Sequence, residues 1–176
     1  MIEITPMLPE HAEAVLNIYE EGLQTGQSTF NTEVPTWQDW DKGHLAHSRL
    51  VAIENGKVLG WVALSPVSAR HCYRGVAEFS IYIGAQARGK GIGNLLMQAL
   101  IQKSEANGIW TLHSSTFPEN TASINLQKKY GFREIGYREK IAELHGVWRD
   151  TILLERRSTV TGVPNNAMLT DTVSKL

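Results

Sequence analysis

Residues Arg88-Gly89-Lys90-Gly91-Ile92-Gly93 form the most informative stretch of this chain. They separate an alternating apolar run, Val76 to Ile83, from an amphipathic run that extends from Asn94 to Lys103. This order predicts a strand, a glycine-rich turn and a helix. Glycine permits positive φ angles, so successive backbone N–H groups can point into one concavity where the helix begins. The stretch is typical of a phosphate or pyrophosphate site, although tight strand-to-helix turns need glycine in any case.

Length and composition restrict the class of protein. The chain has 176 residues, of which 42% are apolar, as expected for one domain with a substantial core. Its formal net charge of −1 gives no field that would attract nucleic acid or an anionic membrane, and no segment is apolar enough to span a bilayer. Cys72 is the only cysteine and the N-terminus lacks a signal-peptide pattern, so we expect a cytoplasmic protein. The six histidines lack zinc-binding spacing, and no metal site is expected.

Hydrophobic periodicity and turn signals outline the other elements. Helices are predicted to begin at Pro9 and Pro35 and to cover 94–103 and 120–129. Strands are predicted at 2–7, 50–54, 57–64, 76–83, 109–115, 132–141 and 147–155. Asn55-Gly56 is a strong hairpin signal, and His145-Gly146 is expected to join the last two strands. We interpret 1–157 as one domain and 158–176 as a tail that is either flexible or docked on a neighbouring subunit.

A second motif follows the next strand along the chain. It reads Asn120-x-x-Ser-x-x-Leu-x-x-x-Tyr130-Gly-Phe. Combined with Arg-x-x-Gly-x-Gly, this pair of motifs resembles the GNAT superfamily of acetyl-CoA-dependent N-acetyltransferases, and the predicted order of elements agrees. The resemblance implies the GNAT acyl-CoA N-acyltransferase fold, an α/β domain in which helices flank a central, mixed, mostly antiparallel, twisted sheet. It also implies acetyl-CoA as the co-substrate.

Four further patches resemble the phosphinothricin acetyltransferase branch. They are Phe30-x-Thr-Glu33, Pro66-x-x-Ala-Arg-x-x-Tyr73, Ala77-Glu-x-x-x-Tyr82 and His145-Gly-x-Trp-x-Asp150. The resemblance implies a small amino-acid-like amine as acceptor, of the phosphinothricin or methionine sulfoximine type, and a homodimer. The chain departs from the branch at Asn31, where that branch has Arg, and at Val67-Ser68, where it has Trp-Lys. These departures leave the exact acceptor open.

The cofactor site is predicted from the turn and from the resemblance. Backbone N–H groups of the glycine turn are expected to hold the pyrophosphate, aided by the helix dipole. The resemblance implies that the pantetheine arm lies against the main chain of the preceding strand. Asn120 is expected either to reach the cofactor or to cap its helix, and Lys129 either to steer the adenosine phosphate or to be solvated. The predicted cofactor-binding residues are Ile81, Tyr82, Ile83, Arg88, Gly89, Lys90, Gly91, Ile92, Gly93, Asn120 and Lys129.

Two residues are predicted to carry the chemistry. Strand alternation places Glu78 on one face with Ser80 and Tyr82, and a carboxylate in such an apolar run is costly without a partner or a task. We predict Glu78 as the general base, the role of the matching residue in the resembled branch, or else as the partner of a basic residue on a neighbouring strand. Tyr130 matches the superfamily tyrosine that assists the departing CoA thiolate, with core packing as the alternative.

The acceptor pocket is predicted to combine Phe30, Arg70, Tyr73 and Trp148. The guanidinium of Arg70 is expected to bind a carboxylate of the substrate. A surface or inter-subunit salt bridge is the alternative for Arg70. Two other functions remain open at this point. One is acetylation of a protein N-terminus, a lysine or a polyamine. The other is a non-catalytic acetyl-CoA-binding module, in which Glu78 and Tyr130 would not be required.

Overall fold

The computed structural model describes residues 1–163, and the predicted tail beyond residue 163 lies outside the described residues. The strands are β1 (Glu3–Pro6), β2 (Leu50–Glu54), β3 (Lys57–Pro66), β4 (Val76–Ile83), β5 (Thr111–Thr116), β6 (Arg133–Leu144) and β7 (Val147–Arg157). The helices are α1 (Ala12–Gln24), α2 (Trp37–Gly43), α3 (Ile92–Ala106) and α4 (Thr121–Lys129). Among these helices none is long and apolar enough to cross a membrane.

One sheet of seven strands, ordered β1-β2-β3-β4-β5-β7-β6, organises the described chain. Neighbouring strands are antiparallel except for β4 and β5, which run parallel because α3 connects them. The predicted fold class, a mixed and mostly antiparallel sheet flanked by helices, is confirmed.

Local backbone chemistry sets the two hairpin turns. Asn55 and Gly56 have φ angles of 50° and 76°, and His145 and Gly146 have φ angles of 50° and 79°. Positive φ at both central residues matches the twist of a tight hairpin, which explains the Asn-Gly and His-Gly sequences. Both predicted turns are therefore observed, although β6 extends to Leu144, three residues beyond its predicted end.

Two apolar layers cover opposite faces of the sheet. The α3 side contains Leu96, Met97 and Leu100, all fully buried against β2, β3 and β4. The α1 and α2 side contains Val15 and Trp40, packed on alternate residues of the same strands. Because successive strand residues face opposite ways, each central strand contributes to both layers. The site described below passes between these layers.

The first residues after β7 are held against the sheet. The Ser158 N–H donates to the Trp110 carbonyl at 2.8 Å, and the Arg157 guanidinium donates to the Thr161 carbonyl at 3.1 Å. The predicted tail therefore begins as a fastened segment over 158–163.

Candidate active site

A fork between β4 and β5 forms the centre of the site. The two strands pair only from Val76 to Glu78 and from Thr111 to His113, although both continue further. Beyond Glu78 they diverge, and a cavity of about 610 Å³ lies along the gap. Residues of both sheet faces line this cavity, so it connects the α3–α4 side with the α1 side.

The glycine turn follows β4 and contributes Arg88 to the lining of the cavity, whereas Gly89 to Gly93 are not among the lining residues. Gly89 and Gly91 have φ angles of 75° and 79°, and Gly91 is the N-cap of α3. A Cβ at either position would meet no atom within 4 Å, so the backbone conformation rather than space requires glycine there. The first N–H groups of a helix have no partner within it, so this end of α3 offers donors and a positive dipole to an anion.

Gly93 and Ile92 have a different part in the turn. A Cβ on Gly93 would lie 3.3 Å from Leu126 Cδ2, so this glycine allows α3 and α4 to pack closely. The side chain of Ile92 is buried in the core, so only its main chain faces outward. Arg88 lines the cavity, whereas Lys90 is exposed outside the lining residues.

The free edge of β4 provides the second feature that an acetyl-CoA arm needs. β3 pairs with β4 as far as Ile83, but on the other edge pairing with β5 ends at Glu78. Ile81, Tyr82 and Ile83 line the cavity along this unpaired edge. Main-chain groups there are positioned for an added strand of amide hydrogen bonds, the interaction by which extended ligands extend a sheet.

The Tyr82 side chain is occupied on the α1 side. Its ring stacks on Trp61 with centroids 4.9 Å apart and meets Tyr19 edge-on at 5.0 Å. A Cβ on Gly22 would lie 2.5 Å from this ring, so the glycine in α1 makes room for it. Burial is the main cause that raises the pKa of the Tyr82 phenol well above its ordinary value. The Tyr82 side chain is therefore packed and protonated on the α1 side, while its main chain lies on the unpaired edge of β4.

Glu78 lies at the apex of the fork. It lines the cavity and is solvent-exposed, and its neighbour in the parallel register is His113. Within residues 1–163 Glu78 forms no salt bridge, so the alternative of a basic partner on a neighbouring strand is not observed. The Nδ1 atom of His113 is buried and has no hydrogen-bond partner among the described residues.

A buried polar network, which the sequence reading missed, lines the cavity on the α4 side. Gln127 is only 1% exposed, accepts from Ser114 Oγ and donates to Thr116 Oγ1 and Ser123 Oγ, both at 3.1 Å. All four residues line the cavity. The sequence holds one indication of this network. Gln127 comes three positions after the buried Ile124, so a helix places both side chains on the buried face of α4.

Asn120 lines the cavity, and its side-chain amide forms hydrogen bonds to two different segments. Its Oδ1 accepts from the Ser123 N–H, and its Nδ2 donates to the Gln27 carbonyl, each at 3.2 Å. The predicted cap is therefore observed, and the amide is also bonded to the segment after α1.

Tyr130 and Lys129 both contact Asn94 at the start of α3. The Tyr130 hydroxyl donates to the Asn94 carbonyl at 3.0 Å, and Lys129 Nζ donates to Asn94 Oδ1 at 2.6 Å. Neither residue is among those that line the cavity. The Tyr130 hydroxyl is thus bonded within this chain, and its role towards the CoA thiolate stays a prediction. Lys129 remains close to the turn predicted to hold phosphate.

The predicted acceptor residues are only partly brought together. Phe30 lines the cavity and meets Phe117 edge-on with centroids 4.8 Å apart. Arg70, Tyr73 and Trp148 lie outside the lining residues, so one chain does not form the closed pocket that was predicted. The Arg70 guanidinium lies 5.6 Å from the Tyr73 ring in an exposed loop, and Trp148 is 58% exposed near the β6–β7 turn. The reason is that neither loop folds over the fork within this chain.

The charges that line the cavity are unequal on its two sides. Arg88 lies by the glycine turn, while the other charged residues of the lining are the carboxylates Glu78 and Glu119. A cation or an amine is therefore favoured away from the turn, and an anion close to it.

Fold and site together define an acyl-CoA-dependent transferase in which a strand fork opens beside a glycine-rich helix start. The family model described as "Acetyltransferase (GNAT) family" matches residues 12–132. The chain belongs to this family. It is an acetyl-CoA-dependent N-acetyltransferase that transfers the acetyl group to an amine.

Several known proteins are similar to this chain. A candidate phosphinothricin acetyltransferase of Bacillus subtilis (strain 168) is 36% identical over 160 residues, covering 87% of this chain and 98% of the relative. An L-methionine sulfoximine/L-methionine sulfone acetyltransferase of Pseudomonas aeruginosa is 28% identical, covering 80% and 86%. A solved phosphinothricin acetyltransferase of Sinorhizobium meliloti, in complex with acetyl-CoA, is 26% identical with a TM-score of 0.83 and 97% of each chain covered. The predicted family and co-substrate are confirmed.

Proposed function

We propose that this enzyme acetylates the amino group of a small amino-acid-like substrate by direct attack on acetyl-CoA, with Glu78 as general base. The observation that carries this proposal is the position of Glu78, a carboxylate at the apex of the fork that forms no salt bridge within residues 1–163. The relatives named for phosphinothricin and for methionine sulfoximine support the acceptor class.

The reaction needs a neutral amine. An α-amino group with a pKa of about 8 is mostly protonated at neutral pH, so a base that removes the proton speeds the reaction by about 10²- to 10⁴-fold. In our proposal the amine nitrogen attacks the thioester carbonyl, and its proton passes to the Glu78 carboxylate directly or through water. The carbon–sulfur bond then breaks, and the sulfur leaves with its electron pair as the CoA thiolate. No covalent enzyme intermediate is needed.

The cofactor residues of the proposal follow the geometry. The main chain of the glycine turn holds the pyrophosphate, with Arg88 beside it, and the unpaired edge of β4 holds the pantetheine arm. Arg88 of the turn and Ile81 to Ile83 of β4 line the same cavity, which supports this placement. The acetyl group is then delivered towards the apex, where Glu78 lies.

We further propose that the enzyme acts as a cytoplasmic homodimer in which Arg70, Tyr73 and Trp148 complete an acceptor pocket. These side chains are exposed in the single chain. Support also comes from β6, which lies at the edge of the sheet and carries several exposed apolar side chains. Such side chains are unfavourable on an edge strand in contact with water, and a second subunit would cover them. These apolar residues are Ile135, Tyr137 and Ile141. Light scattering on the purified protein tests the assembly, and a monomer at assay concentration would contradict it.

A polyamine acceptor has one observation in its favour. Glu78 and Glu119 are both carboxylates of the cavity lining, and two acidic groups suit a substrate that carries more than one ammonium group, but Arg149 pairs with Glu119 at 3.2 Å and offsets its charge. An amino acid needs a cation for its carboxylate, which Arg70 provides only in an assembled pocket.

A thiol-release assay with a panel of acceptors tests the proposal. The panel contains phosphinothricin, methionine sulfoximine, methionine sulfone, the common amino acids, spermidine and an N-terminal peptide. We expect saturable turnover on a glutamate-like or methionine-derived analogue. Turnover on spermidine alone would favour the polyamine alternative, and turnover only on the peptide would overturn the small-molecule class.

A further inference from the structure

One wall of the cavity is built from a segment without regular structure. Residues 25–30, here called the 25–30 segment, connect α1 towards α2 and contain neither helix nor strand. Yet five of the six residues line the cavity, namely Thr25, Gln27, Ser28, Thr29 and Phe30. Because no hydrogen-bond ladder fixes such a segment, its shape depends on the side chains that bind it.

Arg149 on β7 binds this segment and the facing wall at the same time. Its Nη1 donates to the Gly26 carbonyl at 3.1 Å, and its Nη2 donates to Glu119 Oε2 at 3.2 Å. The guanidinium carbon lies 4.3 Å from the centroid of the Phe117 ring. One planar group thus joins three parts of the chain that are far apart in sequence.

The contacts of Arg149 extend to the part of the cavity where the amine substrate is proposed to bind. Glu119 and Phe117 are lining residues, and Phe117 is the ring on which Phe30 packs edge-on. The only other side chain described as bonding the segment from the α4 side is Asn120, through the Gln27 carbonyl. Loss of Arg149 would therefore release the Gly26 carbonyl, leaving Gly26 with the bond from its N–H to the Leu23 carbonyl at 2.9 Å, and loosen the Phe30–Phe117 pair.

We propose that Arg149 is a positioning residue that clamps the 25–30 segment against Phe117 and Glu119 and so shapes the acceptor end of the cavity. Its guanidinium suits this role because a rigid fork serves two acceptors and stacks on a ring, which an ammonium group does not do. The catalytic part of this inference rests on the proposed function, whereas the clamp itself does not.

The test compares Arg149→Met with Arg149→Lys and a matched control. Methionine keeps a long apolar stem over Phe117 but removes both hydrogen bonds. The control is Arg133→Met, on the adjacent strand β6, where Arg133 pairs with Glu155 and its side chain is 70% exposed. Steady-state kinetics give KM for each substrate, and hydrogen–deuterium exchange follows the peptide that covers the 25–30 segment.

For Arg149→Met we expect the acceptor KM to rise about 10-fold, while the acetyl-CoA KM changes by less than about twofold. Exchange in the 25–30 segment should become faster than in the control, and Arg149→Lys should restore only part of either effect. An unchanged exchange rate overturns the clamp. Faster exchange with equal losses for both substrates overturns the positioning role. If the wild type acetylates no amine of the panel, the proposed acceptor class fails, and the exchange experiment alone decides on the clamp.

Discussion

Glu78 on β4 and His113 on β5 form the last residue pair of the parallel register between these strands. Past this pair the strands separate, so the carboxylate lies where the sheet opens and where a ligand can take the place of a strand. A shift of one residue in β4 would turn Glu78 to the opposite face, because side chains alternate along a strand. The register therefore fixes the side of the sheet on which the Glu78 carboxylate lies.

Replacing Glu78 by Gln should lower kcat with the acceptor by about 10²- to 10⁴-fold at neutral pH, because the amide cannot take the proton of the amine. Acetyl-CoA affinity should change little, since the glycine turn and the β4 edge are untouched. Glu134→Gln is a suitable control, because Glu134 pairs with Lys128 at the surface. Turnover and the acetyl-CoA dissociation constant are the measurements. Wild-type turnover in Glu78→Gln would exclude it as the base.

The parts of the fold that the sequence predicted are those in which a short stretch determines its own backbone. Positive φ angles at Asn55, Gly56, Gly89 and Gly91 follow directly from residue type. The alternation along β4 likewise predicted that Glu78, Ser80 and Tyr82 share a face. Local rules of this kind do not depend on what the rest of the chain does, so they can be read from one sequence.

The parts that the sequence did not predict depend on contacts between distant segments. Gln127 reads as a surface residue until β5 supplies Ser114 and Thr116 as its partners. No local pattern indicates the role of Arg149, because the Gly26 carbonyl that accepts its hydrogen bond is 123 positions away. Trp148 is exposed on the hairpin that carries it, and its place in the acceptor pocket stays a prediction. Such placements follow from the assembled sheet and not from any local pattern.

Replacing Gly91 by Ala should weaken acetyl-CoA binding and lower stability. The φ angle of 79° is left-handed, and an L-residue there costs about 1–2 kcal/mol, so the start of α3 should shift to relieve it. Gly43→Ala is the matched control, because Gly43 ends α2, has no positive φ and has open space for a Cβ. Calorimetric titration with acetyl-CoA and thermal unfolding check both effects. Equal affinity in the two variants would refute a role for the turn in holding the pyrophosphate.

Replacing Tyr130 by Phe separates the two roles considered for this residue. In the structure its hydroxyl bonds the Asn94 carbonyl, so the substitution should cost about 1 kcal/mol of unfolding free energy and leave kcat within about twofold. A role in assisting the CoA thiolate would instead lower kcat by about tenfold or more at unchanged stability. Denaturant unfolding and steady-state kinetics on the same preparation distinguish the roles.

Thr151 should be a site at which removing a hydroxyl stabilises the protein. Its Oγ1 is buried and has no hydrogen-bond partner among residues 1–163, so Thr151→Val should raise the unfolding free energy by about 1 kcal/mol. Ser104 provides the contrast, because its buried hydroxyl donates to the Ile101 carbonyl at 3.0 Å. Ser104→Ala should therefore destabilise. Chemical denaturation measures both, and a loss of stability in Thr151→Val would show that its hydroxyl is paired.

Glu105 should make the stability of the protein sensitive to acid. Burial of the Glu105 carboxyl acts to raise its pKa, but hydrogen bonds with Arg156 and Ser158 and the charge of Arg156 outweigh it, so the pKa lies below its ordinary value. A depressed folded-state pKa means that the carboxylate stabilises the fold above the unfolded pKa of about 4.3, and that this stabilisation disappears as pH falls through the lower folded pKa.

Glu105→Gln should therefore lower the unfolding free energy by about 2 kcal/mol at pH 7, as expected for loss of a partly buried, charged hydrogen bond. The difference from the wild type should shrink steadily once the pH falls below about 4, because protonation of Glu105 then makes the two proteins alike. Denaturant titrations from pH 7 down to the acid range measure this difference directly. A constant difference across that range would mean that Glu105 acts through its shape and not through its charge.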